Sequence, residues 1–223
     1  MKVHVLVEGL SEKALIDRWA PRAFRGHSFE AHPHQGKGTL PDDPAGPPVP
    51  RRRGLLDLLP ATLRAFAAAG ESAILVLVDA DRDDCTRLKR RLVAMAAKLD
   101  PRPNVVFRIA VEETEAFYLG DLHALGLAFP KADTRRARQY KPDSICGTAE
   151  LFGEIVGDGG LNKVWWAEAI GPHLTTVPKR SRSPSFRALH AGVKKLLETS
   201  DEPAKKRKFK HVARTSGKRR RPA

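Results

Sequence analysis

AILVLVDAD, at residues 73–81, joins an unbroken apolar run to a pair of aspartates. Six consecutive apolar residues, several of them β-branched, predict a strand that is buried on both faces, which is typical of a parallel sheet. Such sheets carry their chemistry just beyond the carboxyl ends of their strands. We therefore expect a strand at 73–78 and place Asp79 and Asp81 at the functional edge of an α/β domain.

A second acidic motif follows the first predicted strand, at residues 2–7. It reads EGLSE at residues 8–12. If both motifs end neighbouring strands, Glu8, Asp79 and Asp81 crowd one rim, where carboxylates raise each other's pKa or recruit a cation. Hard oxygen ligands suit Mg²⁺ or Mn²⁺. The two motifs together predict a divalent metal site.

Each motif also has a purely structural interpretation. Asp81, Asp83 and Asp84 are suited to capping and charging the start of the next helix, because anions favour helix N-termini by about 0.3 to 1 kcal/mol. Glu8 before Gly9 fits an ordinary strand-to-helix turn. The metal interpretation rests on the combination of two acidic motifs after two apolar strands.

Strand and helix patterns alternate along the first part of the chain. Further strands are predicted at 28–33 and 105–110, and helices at 11–20, 55–69 and 84–98. We expect Ser11 to cap the first helix and Pro21 to interrupt it. In the second helix, Pro60 is expected in the first turn and Gly70 at the end. This alternation predicts a four-stranded parallel sheet with helices on both faces and right-handed crossovers.

Composition divides the chain into three parts. Residues 1–125 form the predicted α/β catalytic domain, and residues 126–200 a helical extension packed on it. Within the extension, helices are predicted at 148–156, at 165–170 and from Ser183 onward. Residues 201–223 hold ten lysines and arginines against two acidic residues. So little apolar content cannot order the segment, and we expect a disordered basic tail.

The net charge of +14 bears on the partners of the protein. A basic block such as residues 201–223 commonly binds nucleic-acid phosphate without sequence preference. The alternatives are a solvated, inert tail or a targeting-like run. Nucleic acid is therefore the expected partner.

Composition also indicates the cellular compartment in which the protein is expected. Hydrophobic residues make up 41% of the 223, and Cys85 and Cys146 are the only cysteines. No apolar run approaches the ~20 residues needed to cross a bilayer, and a strand rather than a signal-peptide pattern stands at the amino terminus. We expect a protein of the reducing cytoplasm with no membrane partner.

Two kinds of site are not expected. GKG at residues 36–38 lacks the Gly-x4-Gly-Lys-Ser/Thr spacing of a phosphate-binding loop, so an ATPase site is not predicted. His32 and His34 have no cysteine partners, so zinc is not expected.

The acidic motifs resemble the two signatures of the Toprim domain, the catalytic module of topoisomerases, bacterial-type primases and a set of nucleases. The chain looks most like a bacterial single-domain Toprim family of unknown function, over residues 1–200. The matching stretches are GKG at 36–38, LVDADRDDC at 77–85, EETEAF at 112–117 and SPSF at 183–186. The resemblance implies a Toprim-like, Rossmann-like fold. Its relation to nucleases of the overcoming-lysogenization-defect (OLD) type implies two divalent ions, Mg²⁺ or Mn²⁺.

Carried over by position, the resemblance implies a catalytic set of Glu8, Asp79 and Asp81. The metal ligands are then these three residues and one of Glu112 or Glu113. The ions would activate a water, orient the scissile phosphate and stabilise the leaving oxygen. Glu8 would either bind an ion or accept the proton of the attacking water.

The resemblance also implies supporting roles for further acids. Glu12 is expected to act behind the metal ligands or as a ligand itself, and Asp83 and Glu115 act behind them. The glutamates at 112–115 have an alternative role as acids in the first turn of a helix.

Basic residues are the candidates for holding phosphate, the alternative being an unspecific surface charge. They are Lys37, Lys179, Arg180 and Arg187, with Lys205, Lys206, Arg207 and Lys208 in the tail.

The expected function is a metal-dependent endonuclease acting on DNA or RNA. Because related Toprim nucleases are often joined to an ABC-type ATPase, the resemblance implies an ABC/AAA-type ATPase partner in trans and a role in bacterial anti-phage defence. The alternatives are a non-catalytic, nucleic-acid-binding or regulatory subunit with the Toprim fold, and a structural adaptor that assembles the ATPase. The intact acidic set favours the nuclease, since carboxylates without a metal repel phosphate.

Overall fold

Four parallel strands form the centre of the molecule. A computed structural model describes residues 1–71, 73–144 and 147–200. The strands are β1 (Lys2–Val7), β2 (Ser28–Pro33), β3 (Ile74–Asp79) and β4 (Val105–Ala110). All pair in parallel, in the order β2-β1-β3-β4. The predicted α/β class with a four-stranded parallel sheet is confirmed.

Helices cover both faces of this sheet. In chain order they are α1 (Leu10–Ala23), α2 (Leu55–Ala68), α3 (Cys85–Ala97), α4 (Glu115–Leu119), α5 (Leu122–Ala128), α6 (Thr134–Gln139), α7 (Thr148–Val156), α8 (Lys163–Ile170) and α9 (Pro184–Ser200). A short 3-10 turn at Pro178–Arg180 precedes α9. The predicted start of α9 is confirmed, because Ser183 Oγ accepts the N–H of Phe186 at 3.1 Å as a capping residue does.

The two faces of the sheet contribute to separate hydrophobic cores. Val5 and Leu75 face a core that also contains Trp19 of α1. Leu6 and Val76 face a second core, formed with α2 and α3. Neighbouring strand residues point to opposite faces, so unbroken apolar runs are needed to fill both cores.

Two prolines lie inside helices, against the sequence prediction. α1 begins at Leu10 and continues through Pro21, so the prediction that Ser11 caps this helix and Pro21 interrupts it is wrong. Pro21 lies in the last turn, where it removes a single backbone hydrogen bond, and burial of Trp19 outweighs that loss. Pro60 lies beyond the first turn of α2, contrary to the prediction, and is buried against the second core.

The helical part of the chain shares a core with the sheet. Leu125 of α5, Phe152 of α7 and Phe186 of α9 all belong to the core on the α1 face. Residue 125, where we placed a domain boundary, lies inside α5. The predicted tail, residues 201–223, and Cys146 lie outside the described residues. In the described part of the chain, no helix has the length and apolar character needed to span a bilayer.

Candidate functional site

The carboxyl ends of β1 and β3 meet at the centre of the sheet. The chain leaves β1 towards β2 on one side and returns to β3 on the other, and this reversal opens a crevice between the two strand ends. Glu8 directly follows β1, and Asp79 is the last residue of β3. The backbone N–H of Asp79 donates to Glu8 Oε1 at 2.8 Å. The structure thus brings the two acidic motifs into contact.

Five acidic side chains act on one another around this crevice. We call them the acidic rim: Glu8, Glu12, Asp79, Asp81 and Glu115. Glu12 comes from the first turn of α1, and Glu115 is the first residue of α4. Ser11 Oγ and Thr114 Oγ1 donate to Glu12 Oε1 at 2.8 and 3.4 Å. Acids from four segments of the chain therefore converge on one place.

Part of the acidic rim is buried without hydrogen bonds. Asp79 Oδ1 and both carboxylate oxygens of Glu115 are buried and have no hydrogen-bond partner. Lys163 Nζ lies 3.9 Å from Glu115 Oε1, which is an ion-pair distance rather than a hydrogen bond. Buried carboxylates in this condition need a cation or a proton.

Burial and mutual repulsion raise the pKa values of the rim acids. Burial, reinforced by Glu12 and opposed by the Asp79 N–H, raises the pKa of Glu8 to about 7. Burial also raises the pKa of Glu115 to about 7, although Lys163 opposes the shift. The pKa of Asp79 is raised well above its usual range, because the side chain is buried beside Glu12 and Glu8. Near neutral pH the rim therefore either shares protons or exchanges them for metal ions.

Glu112 and Glu113, predicted as alternative metal ligands, are held by other groups. Glu112 accepts hydrogen bonds from the hydroxyls of Tyr140 and Thr148. Glu113 accepts one from Lys163 Nζ at 3.2 Å and one from a backbone N–H in the first turn of α7 at 2.8 Å. These contacts turn both side chains towards the helical part of the chain.

Glu115, predicted as a helper, is the acid of this segment that joins the rim. Glu112 and Glu113 instead line a small cleft of about 270 Å³ beside Asp81. The backbone is unusual here, with positive φ angles of 50° at Asp81 and 80° at Glu112. The N–H of Asp81 donates to the carbonyl of Glu112 at 3.0 Å, which joins the two turns. Such costly conformations cluster at functional sites.

Lys37, predicted to bind phosphate, is tied to the aspartates that follow β3. Its Nζ lies 3.0 Å from Asp81 Oδ2 and 2.9 Å from Asp83 Oδ2. Burial lowers the pKa of Lys37, but the hydrogen bonds to Asp83 and Asp81 outweigh burial and raise it. Gly36 and Gly38 allow this placement with φ angles of 82° and 67°. A Cβ on Gly38 would lie 2.3 Å from a carboxylate oxygen of α2.

Lys163 is a site residue that the sequence analysis missed. It opens α8 and contacts both Glu113 and Glu115. Burial opposes its charge, but attraction from Glu115 and Glu113 outweighs burial and raises the pKa of Lys163 to about 12. It lies 50 positions beyond Glu113 and belongs to no motif, so only the fold reveals it.

The remaining basic candidates have other neighbours. Lys179 and Arg180 lie in the exposed 3-10 turn. Arg180 lines a cleft of about 600 Å³ with Arg22 and His173, and the described lining includes no residue of the acidic rim. Arg187 is exposed and donates to a backbone carbonyl just before α9 at 2.7 Å. The tail candidates lie outside the described residues: Lys205, Lys206, Arg207 and Lys208.

The acidic rim offers the donor set of a hard divalent cation. Its side chains present only carboxylate oxygens, three of which are buried without hydrogen bonds. Among the described residues, no three rim carboxylates have oxygens that all lie within 4.8 Å of one another. Without a cation, the mutual repulsion of the carboxylates keeps their oxygens apart. A bound cation would offset that repulsion, so the carboxylates are expected to draw closer around it. The residues therefore fit Mg²⁺ or Mn²⁺ by chemistry.

A family model matches residues 7–194, which is most of the chain, and its description is "Domain of unknown function (DUF4276)". The chain belongs to the DUF4276 family. No curated protein and no solved structure matches it. The acidic rim, Lys37 and Lys163 all lie inside the DUF4276 region, whereas residues 201–223 lie beyond it. The family description states no activity.

Proposed function

We propose that the chain is a Mg²⁺- or Mn²⁺-dependent nuclease of the Toprim type, which hydrolyses phosphodiester bonds in DNA or RNA. One observation carries the proposal: Glu8 and Asp79 meet at the reversal point of the sheet, where buried oxygens of Asp79 and Glu115 have no hydrogen bond. A divalent cation relieves both the repulsion and the missing hydrogen bonds. The resemblance of the two acidic motifs to Toprim signatures supports the same conclusion.

Glu8, Asp79 and Asp81 hold the metal in this proposal, and Glu115 joins them in place of Glu112 or Glu113. Divalent ions held by these residues would supply a nucleophile at neutral pH and would offset the charge that develops on phosphate oxygens. The protein side chains set the positions of the oxygens around the crevice.

The other groups of the site act on protons and on orientation. In the metal-free site the pKa of Glu8 is raised to about 7, so Glu8 is suited to accept a proton near neutral pH wherever it does not itself bind an ion. Lys37 holds Asp81 and Asp83 in place after β3. Lys163 offsets part of the negative charge of Glu115. Exposed basic residues of the described chain, together with the basic residues of 201–223, attract the substrate backbone.

The proposed setting follows from the resemblance. The protein acts in the cytoplasm on nucleic acid, as the effector partner of an ABC/AAA-type ATPase in bacterial anti-phage defence. Copurification from the native host tests the pairing, and recovery of the protein without any ATPase would count against it.

A second candidate is a non-catalytic nucleic-acid-binding or regulatory subunit of such a system. The observation in its favour is that Lys37 and Lys163 neutralise part of the acidic charge without any metal. A structural adaptor, the third alternative, needs none of the rim acids.

The test compares the full chain with Asp79→Asn on supercoiled plasmid, linear DNA, single-stranded DNA and total tRNA, with Mg²⁺ or Mn²⁺. Asp17→Asn is the matched control, since Asp17 is exposed and pairs only with Lys13 in the described contacts. Cleavage by the wild type and the control is expected to fall by at least about 100-fold in Asp79→Asn.

Other outcomes are equally informative. Cleavage that is unchanged in Asp79→Asn contradicts the proposal. A wild type that cuts nothing, but binds nucleic acid no better than Asp79→Asn does, supports the second candidate. Full biological function of Asp79→Asn supports the adaptor.

A further inference from the structure

A second group of metal-binding side chains lies on the sheet, away from the acidic rim. It consists of His4 on β1 and of Glu30 and His32 on β2, and we call it the histidine site. In the described part of the chain, this is the one group of three whose ligand atoms all lie within 4.8 Å of one another. His4 pairs with Glu30 in the strand register, and His32 pairs with Leu6. All three side chains therefore lie on the face covered by α2.

The distances within the histidine site suit a small transition-metal ion. His4 Nδ1 lies 3.0 Å from His32 Nε2 and 3.6 Å from Glu30 Oε2. Ligand atoms bound at about 2.0 to 2.1 Å in a tetrahedron lie about 3.3 to 3.4 Å apart, and the two observed separations bracket that value. We propose that the histidine site binds Zn²⁺ through His4 Nδ1, His32 Nε2 and Glu30 Oε2.

The neighbours of His4 prepare its Nδ1 atom for a metal. Glu71 Oε2 lies 3.0 Å from His4 Nε2. These two atoms lie outside hydrogen-bond geometry, but the negative charge of Glu71 still favours the tautomer that carries its proton on Nε2, which leaves the Nδ1 lone pair directed at the other ligands. Phe66 of α2 stacks on the His4 imidazole, with ring centroids 4.6 Å apart, and contacts the His32 imidazole at a tilt, with centroids 5.4 Å apart. The ring planes are therefore fixed before a metal binds.

Solvent can reach the histidine site, and the charged groups around it do not prevent a metal ion from binding. Half of the Glu30 side chain is exposed, so an ion can enter from solvent. Lys2 pairs with Glu30 Oε2, but an exposed ion pair is weak and is readily displaced. Burial lowers the pKa of His32 despite the nearby Glu30 carboxylate, which keeps the imidazole neutral and able to bind a metal.

The ligand types separate this site from the acidic rim. Two imidazole nitrogens and one carboxylate favour Zn²⁺, whereas carboxylates alone favour Mg²⁺ or Mn²⁺. Glu8 follows His4 by four positions, so the two sites are about 13 Å apart along the strand. A zinc ion at the histidine site would cross-link β2, the edge strand, to β1 and add to the stability of the fold.

The test uses the untagged full chain, stripped with EDTA, titrated with Zn²⁺ by calorimetry and with Co²⁺ by absorbance. The variants are His32→Asn and Glu30→Gln, both at partly exposed positions of the edge strand. The matched control is His34→Asn, because His34 lies just beyond the same strand and contacts the carbonyl of Val7 at 2.9 Å instead. Asp79→Asn controls for zinc at the acidic rim.

We expect one Zn²⁺ per chain and a strong, tetrahedral-type Co²⁺ absorption. His32→Asn and Glu30→Gln should weaken zinc binding by at least about 10- to 100-fold, and Glu71→Gln by about 10-fold. His34→Asn and Asp79→Asn should bind as the wild type does. Absence of zinc binding, or binding unchanged in both ligand variants, would mean that His4 and His32 form only a hydrogen-bonded pair. If His32→Asn fails to fold, the exposed Glu30→Gln decides.

Discussion

The Glu115 carboxylate is 1% exposed, and neither of its oxygens accepts a hydrogen bond. Lys163, at 3.9 Å, offsets part of the cost of burying this charge, but the adjacent acids of the rim add to it. Asp79 is also buried with one oxygen unpaired, and burial beside other acids likewise raises the pKa of Glu8, although Glu8 accepts the Asp79 N–H. Burial and mutual repulsion raise the free energy of the charged site, and binding of protons or cations lowers it. The stability of the site therefore depends on pH and on divalent ions.

The metal-free protein is expected to lose stability as the pH rises. The pKa values of Glu8 and Glu115 are about 7 in the folded state, against an ordinary value of 4.5. The folded state therefore binds their protons more tightly than the unfolded state does. Their contribution is fully present below pH 4.5 and is lost as the pH rises through about 7. Urea unfolding in EDTA at acid and at alkaline pH measures it, and Mg²⁺ should restore stability on the alkaline side.

Asp79→Asn checks the cause of this pH dependence. Removing the central charge should raise the free energy of unfolding at pH 8 by about 1 to 3 kcal/mol and change it little at pH 5. Asp17→Asn, on the exposed face of α1, should leave the profile unchanged. An equal loss of stability with pH in Asp79→Asn and the wild type would show that the rim does not cause it.

At the scale of elements, helix α8 carries two adjacent tryptophans with opposite environments. Trp166 is fully buried, and its Nε1 donates to Asp158 Oδ2 at 2.7 Å. Trp165 is 47% exposed and packs edge-on against Phe129. Neighbouring helical positions point about 100° apart, so only one of the pair can enter the core.

The two tryptophans therefore form a matched test of the core. Trp166→Ala should cost about 3 to 5 kcal/mol, because it leaves a cavity beside Phe152. Trp165→Ala should cost about 1 kcal/mol or less, since its ring is half in water. Urea unfolding gives both values. Similar losses for the two variants would contradict the described packing of α8.

The helix ends show where local sequence signals fail. Strands 28–33 and 105–110 are as predicted, and β3 is shifted by only one residue. The strands are predicted well because an apolar run directly indicates a buried segment. α1 passes through Pro21, and α2 contains Pro60. In both helices, packing of the apolar face outweighs the local cost of the proline.

At the scale of the whole molecule, the basic block at 201–223 and the family region with the acidic rim occupy different parts of the chain. The family match ends at residue 194, close to the end of α9, and the basic block at 201–223 follows. The acidic rim lies at the centre of the sheet edge. In the proposed function, attraction of a polyanion and coordination of metal would therefore fall to different parts of the chain.

Removal of residues 201–223 should weaken nucleic-acid binding without changing thermal stability. Each lost phosphate contact lowers the slope of log K against log salt by about 0.9, so a slope several units shallower is expected. Filter binding to a duplex over a range of salt measures it. A full chain with residues 201–223 in scrambled order is the control, and it should bind as the wild type does. An unchanged slope after removal would show that these charges do not contact the substrate.

The sequence by itself determined the buried strands, their parallel arrangement and the approach of Glu8 to Asp79. These follow from hydrophobic runs and from the rule that parallel strands end at one edge, which are properties of short segments. Only the tertiary structure decided that Glu115 joins the rim, that Lys163 faces it and that His4 meets Glu30 and His32. Those contacts join segments far apart in the chain. They depend on strand register and helix packing, whose free energies are sums over many residues. No local sequence pattern shows which distant residue a side chain will contact.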